Sequence, residues 1–294
     1  MMKIALVTYL DKGAYHAIDV SNEDEQLIEF LRSKDLDIKK EIWNNPDVDW
    51  EAYDLAIVKS PWDYFDLIND FYAWLHDMDL RGVKLLNPSS VLKWNADKHY
   101  LKDIQEAGLL VSPTVYLSKR NKVDVSIYFS EFNVEKLIVK PAVSGGAKNT
   151  FKVTPNNASD ISDKLNVFLQ EEDFIVQPFL EEIATEGELS LLFFGGIFSH
   201  AVLKKAANGD FRVQSTFGGT VHPLTPTPEI ISAATAYIDQ FAKNCLYARV
   251  DAVIVKKEFM LMELELIEPY LFLDTSRTSF NQYYEALLPL LPST

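Results

Sequence analysis

Apolar and polar positions along this chain alternate between two periods, and the switches between them mark out the elements. Ile4-Ala5-Leu6-Val7-Thr8 is a short apolar run with the character of a buried strand. The acidic stretch Asn22 to Gln26 then opens a helix whose apolar face is Leu27, Ile28 and Leu31. Asp37–Ile42 and Leu55–Val58 read as further strands, and a helix through Phe71, Trp74 and Leu75 leads to a strand over 83–88 that Pro88 stops. Strands alternating with helices imply a parallel sheet in α/β layers. From Val91 the spacing predicts one helix running to Ala107, with Gly108 as its C-terminal punctuation, followed by an extended linker over 111–114. Between Tyr116 and about Gln170 the pattern is small and mixed, with a strand at Leu137–Pro141 and a helix at Asp160–Gln170. Phe174–Leu180 leads onward. Glu188–Phe194 and Ile197–Leu203 form a hairpin around Gly195-Gly196, and Ile230–Leu246 is a long helix. A last helix passes through Tyr283, Tyr284 and Leu287.

One late stretch stands apart chemically. In Met260–Leu266, Glu263 and Glu265 alternate with Met262, Leu264 and Leu266, so a strand places both carboxylates on one face, about 7 Å apart. Asp251 opens the preceding run Asp251–Val255, and Lys256-Lys257-Glu258 supplies a tight turn between the two. Folding back brings Asp251 beside Glu263 and Glu265. Three carboxylates on one face repel unless something positive sits among them, and a hard divalent cation such as Mg²⁺ takes oxygen ligands of this kind. Taken alone, the stretch reads more simply as a solvated strand face. On the metal reading, Glu263→Gln relieves repulsion and preserves or raises stability without nucleotide.

Composition narrows the setting. With 48% hydrophobic and 24% charged residues among 294, the chain has the make-up of an ordinary globular protein of two or three subdomains. No apolar run approaches the ~20 residues that cross a bilayer, and the N-terminus lacks the pattern of a signal peptide, so a cytoplasmic setting is expected. A formal net charge of −15 excludes nucleic acid and anionic membrane as general partners, because the summed field repels both. Cys245 is the single cysteine, which rules out an internal disulfide or a thiolate metal site. The five histidines have no zinc-like spacing.

Against this acidic background the cations beside apolar strands stand out. Lys140 ends a strand, and the Pro141–Thr150 loop behind it carries Gly145 and Gly146, which let backbone N–H groups turn inward as an anion nest. This is not a Walker A loop: the lysine precedes the glycines. Lys98 lies upstream, and Lys204, Arg212 and Arg249 downstream. The first strand carries no Gly-x-Gly-x-x-Gly, so a dinucleotide fingerprint is absent. Ligands of open α/β sheets bind beyond the carboxyl ends of strands, which draws notice to Tyr9 and to Ser60–Tyr64. Pro61 and the aromatics there serve equally well to shape a turn.

In order, the chain presents Asp97-Lys98, Lys140-Pro141 with Ser144-Gly145-Gly146, Gln177-Pro178-Phe179-Leu180, Glu188, Arg249-x-Asp251 and Glu263-x-Glu265. This ordered set resembles the ATP-grasp superfamily, and more narrowly its prokaryotic glutathione synthetase-like branch. The segment 204–224 looks like that branch too, and Ser60-Pro61-Trp62-Asp63-Tyr64, Trp94–Lys98 and Glu265–Pro269 are further similar to the O-ureido-serine cyclo-ligase family of cycloserine biosynthesis. The resemblance spans nearly the whole chain.

It implies an α/β fold (α+β overall): an N-terminal parallel α/β domain over 1–95, a small ATP-grasp lid subdomain over 96–176, and a C-terminal ATP-grasp subdomain over 177–294. By position it implies that Lys98 and Lys140 hold ATP phosphates and the adenine side, and that Gly145 and Gly146 belong to the closing loop. Gln177, with backbone groups of Phe179 and Leu180, belongs to the adenine edge, and Glu188 takes the ribose hydroxyls. Asp251, Glu263 and Glu265 hold two Mg²⁺ ions, for which Mn²⁺ substitutes. Arg249 and Arg212 stabilise the transferring phosphoryl group. Many relatives carry Asn where this chain has Glu265.

The chemistry implied is ATP-dependent activation of a small-molecule carboxylate as an acyl phosphate and its capture by an amine, between molecules or within one. An ATP-binding regulatory protein and a small-molecule kinase are the rival readings on the same fold. The acceptor pocket is expected to draw on Tyr9, Asp63, Glu268 and Arg277, and a homodimer is compatible with the sequence.

Overall fold

The computed structural model describes residues 2–11, 13, 18–207, 210, 212–213 and 217–292, with the side chains of 18–21 left aside. Three sheets organise it.

The first is parallel: β1 (Lys3–Thr8), β2 (Asp37–Ile42), β3 (Leu55–Ser60) and β4 (Leu85–Leu86), in the order β2-β1-β3-β4. β3 is buried at every position and β1 at all but Lys3, as strands covered on both faces require. β4 is much shorter than the strand expected over 83–88. Helices α1 (Ile18–Arg32) and α2 (Ile68–Arg81) flank the sheet. α1 begins upstream of the acidic stretch expected to open it. Gly82 closes α2 in the left-handed region, its N–H returning to Asp79 and Met78.

The single helix expected from 91 to 107 is two: α3 (Ser89–Asn95) and α4 (Tyr100–Glu106). Long-range bonds explain the break. The Asn95 amide donates to the Leu264 carbonyl and accepts from the Leu266 N–H, while the Lys98 N–H donates to Ala142 O at 2.9 Å. Asp97 takes the His99 N–H. Lys98 therefore stands in a turn between helices, held at both ends.

The middle sheet contains β5 (Val115–Leu117), β6 (Leu137–Pro141), β7 (Phe151–Val153) and β8 (Phe174–Pro178), in the antiparallel order β5-β8-β6-β7. α5 (Ile127–Phe132) and α6 (Ala158–Phe168) cover one face, where Leu137, Val139, Phe174 and Val176 join their core. The limit expected at 176 falls inside β8, whose pairing with β6 continues to Pro178.

After the short helix α7 (Glu181–Thr185) the third sheet forms. It comprises β9 (Glu188–Phe194), β10 (Ile197–Lys205), β11 (Thr220–Leu224), β12 (Tyr247–Val255) and β13 (Glu258–Glu265), in the order β11-β10-β9-β12-β13. α8 (Pro228–Phe241) precedes β12, and α9 (Ser279–Leu287) follows β13.

Period two sends the side chains of this sheet into two different cores. Leu189, Leu191, Phe193, Val250 and Leu264 face α4 and α8. Leu192, Phe194, Val202 and Tyr247 face the other way and pack with Ile4, Leu6 and Tyr283. The first and third sheets thus share a core, which fixes one against the other. Among the described residues no helix is long and apolar enough to cross a membrane.

Candidate active site

The face of the third sheet that packs on the first domain does not stay apolar to its end. In β9 it reads Glu188, Ser190, Leu192, Phe194, and in β12 Tyr247, Arg249, Asp251. Lys204 of β10 pairs in register with Glu188, Asp251 with Glu263 and Arg249 with Glu265. The inner half of this face is therefore core and the outer half a charged floor. The turn between β12 and β13 is tight, with Lys256 and Lys257 both at positive φ (50° and 71°).

That floor borders a cleft of about 850 Å³, whose other walls come from the middle sheet and from loops of the first. Ile138 and Lys140, on the face of β6 away from its core, point into the cleft. All thirteen residues singled out by the resemblance line it: Lys98, Lys140, Gly145, Gly146, Gln177, Phe179, Leu180, Glu188, Arg212, Arg249, Asp251, Glu263 and Glu265. Of the four residues expected at an acceptor pocket, only Glu268 does. Asp63 instead accepts from the Trp43 indole at 2.6 Å, Tyr9 belongs to the first-domain core, and Arg277 is exposed. Phe211, in the segment likened to the glutathione synthetase-like branch, lies outside the described residues.

The expectation of three mutually repelling carboxylates needs correction, because cations already stand among them. The buried Arg249 guanidinium bonds Asp251 at 2.8 Å and also Glu265. Lys204 bonds Asp251 at 3.2 Å and Glu188 as well, and Lys98 lies 3.2 Å from Glu263. Ser190 donates a further hydrogen bond to Asp251. These partners outweigh burial and hold the Asp251 carboxyl well below the usual range. Burial tends to raise Glu263 too, but Lys98 and Lys140 bring it below its ordinary value. Glu265 goes the other way: burial, helped by Asp251 and Glu263, prevails over Arg249 and pushes it up to about 7. Among the described residues no three carboxylate or imidazole groups gather into a cation cage as they stand.

Two groups in the cleft remain unmatched. The Lys140 ammonium makes no ion pair or hydrogen bond with a described residue, and burial lowers its pKa. Lys98, Lys204, Arg212 and Arg249, by contrast, are each paired, Arg212 with Asp210 at 2.8 Å. The Glu268 carboxylate also lacks a described partner, and burial, with Glu265 and Glu263 nearby, raises it well above a normal glutamate.

Some lining residues gave little sign in the sequence. Phe65, Tyr270 and Phe272 come from loops, and Asp274 and Thr275 from a single 3-10 turn, none with a periodicity to read. Lys204 was visible only as a cation ending an apolar strand; its grip on two carboxylates depends on a register between distant strands.

Known proteins resemble this chain over most of its length. The family model described as "Prokaryotic glutathione synthetase, ATP-grasp domain" matches residues 104–269, and that of "D-cycloserine synthetase DcsG, N-terminal domain" matches 4–87. The cycloserine biosynthesis protein DcsG of Streptomyces lavendulae is 25% identical over 266 residues, covering 83% of this chain and 86% of that protein. The crystal structure of D-cycloserine synthetase DcsG superposes with a TM-score of 0.85 at 24% identity, covering 99% of this chain and all of the other. An ATP complex of D-alanine–D-alanine ligase from Bacillus anthracis shares the fold at a TM-score of 0.74 and 15% identity, over 98% of this chain and 97% of that one. Since the glutathione synthetase ATP-grasp match alone takes in more than half of the sequence and contains most of the cleft, the chain belongs to that family and is an ATP-binding ligase of the ATP-grasp type.

Proposed function

We propose that the cleft binds Mg·ATP together with a small amino-acid-like carboxylate and activates that carboxylate as an acyl phosphate for capture by an amine. The observation that carries this reading is Lys140: in a cleft whose other strand-borne cations are paired, its desolvated ammonium is left for an anion.

On this reading Lys140 and Lys98 hold phosphates, with the Gly145-Gly146 loop above them. Gln177 and the backbone of Phe179 and Leu180 border the adenine, and Glu188 takes the ribose. Asp251, Glu263 and Glu265 offer hard oxygen donors at facing register positions of two paired strands, a set suited to Mg²⁺, with Mn²⁺ as a substitute. When bound, two such ions neutralise charge on the transferring phosphoryl group. Each carboxylate is matched meanwhile to a cation of the opposite task. Arg249 and Lys98 therefore become available to phosphate oxygens as the carboxylates turn to metal.

The substrate carboxylate attacks the γ-phosphorus, the bond to the β-phosphate oxygen breaks, and ADP leaves. The amine nitrogen then adds to the acyl carbon, the C–O bond to phosphate breaks, and the nitrogen releases a proton. Arg249 and Arg212 meet the charge that builds on the moving groups. Glu268, unmatched in the cleft near Glu263 and Glu265, would take the amino group of an amino-acid-like substrate, whose positive charge would restore its ionised form.

The test is ADP release across a panel of amino acids and hydroxyamino acids carrying ¹⁸O in the carboxylate. Label passing from the carboxylate into released phosphate, in an amine-dependent reaction, is the expected result. ADP release without such transfer would point to a kinase, and nucleotide binding without turnover to a regulatory protein.

A further inference from the structure

Two loops that line the cleft meet in a contact that the chemistry above does not use. One loop, 61–67, follows β3 and is wound into successive turns through Tyr64 N–H to Pro61, Asp66 to Asp63 and Leu67 to Tyr64. The other is the glycine loop after β6, whose own turns run from Lys148 N–H to Gly145 and from Thr150 to Ala147. They belong to different sheets and meet at two points.

At the first, the Phe65 ring lies against the backbone of Gly145. A Cβ built there would stand 2.5 Å from the ring, so only glycine allows the approach. At the second, Lys148 and Asp66 form an ion pair, with the Lys148 ammonium 5.9 Å from the centre of the Phe65 ring. Behind the contact, the glycine loop is tied down by Lys98, which donates to Ser144 O at 2.7 Å. Phe65, Gly145, Gly146 and Ala147 all line the cleft, so the contact joins two of its walls.

We infer that Phe65 on Gly145 and the Lys148–Asp66 ion pair form a latch that holds the glycine loop shut on the first domain and sets the rate at which nucleotide enters and leaves. The inference rests on the nucleotide reading of the cleft. A latch of this kind stabilises the closed state with and without ligand, so it slows association and dissociation together and shifts affinity little. A residue that touches the nucleotide directly would change dissociation alone. Lys148 and Asp66 do not line the cleft, and their side chains are 44% and 30% exposed, so reversing either charge leaves folding intact.

The experiment is stopped-flow association and dissociation of Mg·AMP-PNP for wild type, Asp66→Lys, Lys148→Asp and the double exchange, with melting temperatures as a folding control. For a half-exposed pair, each single variant should exchange nucleotide about two- to fivefold faster in both directions. The double exchange should return both rates close to wild type. Gly145→Ala provides a second route, prising the loop off Phe65, and its faster exchange should not be restored by the charge swap. Saturable binding with equal rates in all four proteins would overturn the latch and leave the nucleotide reading standing. Faster dissociation with unchanged association, unrestored in the double exchange, would overturn it in favour of direct contact. Absence of saturable binding by wild type would overturn the nucleotide reading and the latch with it.

Discussion

Two clusters of buried charge lie within this molecule, built from the same residue types and put to different ends. The first is sealed. Lys59, with no exposed surface, sits 3.0 Å from Glu23 and 3.4 Å from Asp24. Glu23 also accepts the N–H groups of Leu271 and Leu273, Lys59 donates to Pro269 O at 3.3 Å, and Ser60 bonds Asp24. Charges and hydrogen bonds there are largely spent on one another, Asp24 Oδ1 having only the Lys59 ion pair, and what they hold is the 269–273 segment against the first domain. The second cluster is the cleft floor. Its carboxylates and cations are paired too, but along an open cavity, with Lys140 and Glu268 left over. A sealed network records structure. An open one with residual charge records the ligand it was made to meet.

The sharpest way to break this comparison is to remove the centre of the sealed cluster. Burial lowers the Lys59 ammonium, but Glu23 and Asp24 prevail and hold it above the ordinary lysine value. Lys59→Met leaves two buried carboxylates uncompensated and should cost about 3–5 kcal/mol in urea unfolding. Nucleotide affinity should survive in whatever fraction folds. A loss under 1 kcal/mol would mean that water reaches the cluster and that the distinction fails.

A smaller effect is expected from Glu263→Gln on the cleft side. The structure reverses the sequence-based expectation of preserved or raised stability, because Glu263 is a partner of Lys98 rather than an uncompensated charge. Its folded pKa is depressed, so its contribution is present above the unfolded value of about 4.3 and is lost as pH falls through the folded value. Glu263→Gln should therefore be less stable than wild type at pH 7 by up to about 1 kcal/mol, partial exposure keeping the figure small. The two proteins should converge in acid. Urea titrations at pH 7 and pH 3.5 read the difference, and a gap that widens in acid would contradict it.

Much of the fold was legible because period-two and period-3.6 patterns are local. The β12–β13 hairpin followed from Asp251–Val255, two lysines and Met260–Leu266 alone. The break between α3 and α4 was not legible, since Asn95 takes its partners from β13, about 170 residues later. The same holds for the site. The ordered set, through its resemblance to a known superfamily, named thirteen residues that all line one cleft, but how their charges pair depends on Lys204 arriving from β10 and Lys98 from a turn. Phe65 and the 270–275 wall come from aperiodic loops, where composition carries no signal for what they face.

The claim on which the account rests is that the unmatched charge of Lys140 is reserved for nucleotide phosphate. Calorimetric titration of Mg·AMP-PNP into wild type and Lys140→Ala, with urea unfolding of both, tests it directly. Binding by Lys140→Ala should be about 10- to 100-fold weaker, the loss of a charge-assisted contact, with stability unchanged or slightly raised because a desolvated charge has been removed. Equal affinity of the two proteins, or an affinity loss that merely follows a loss of stability, would contradict it.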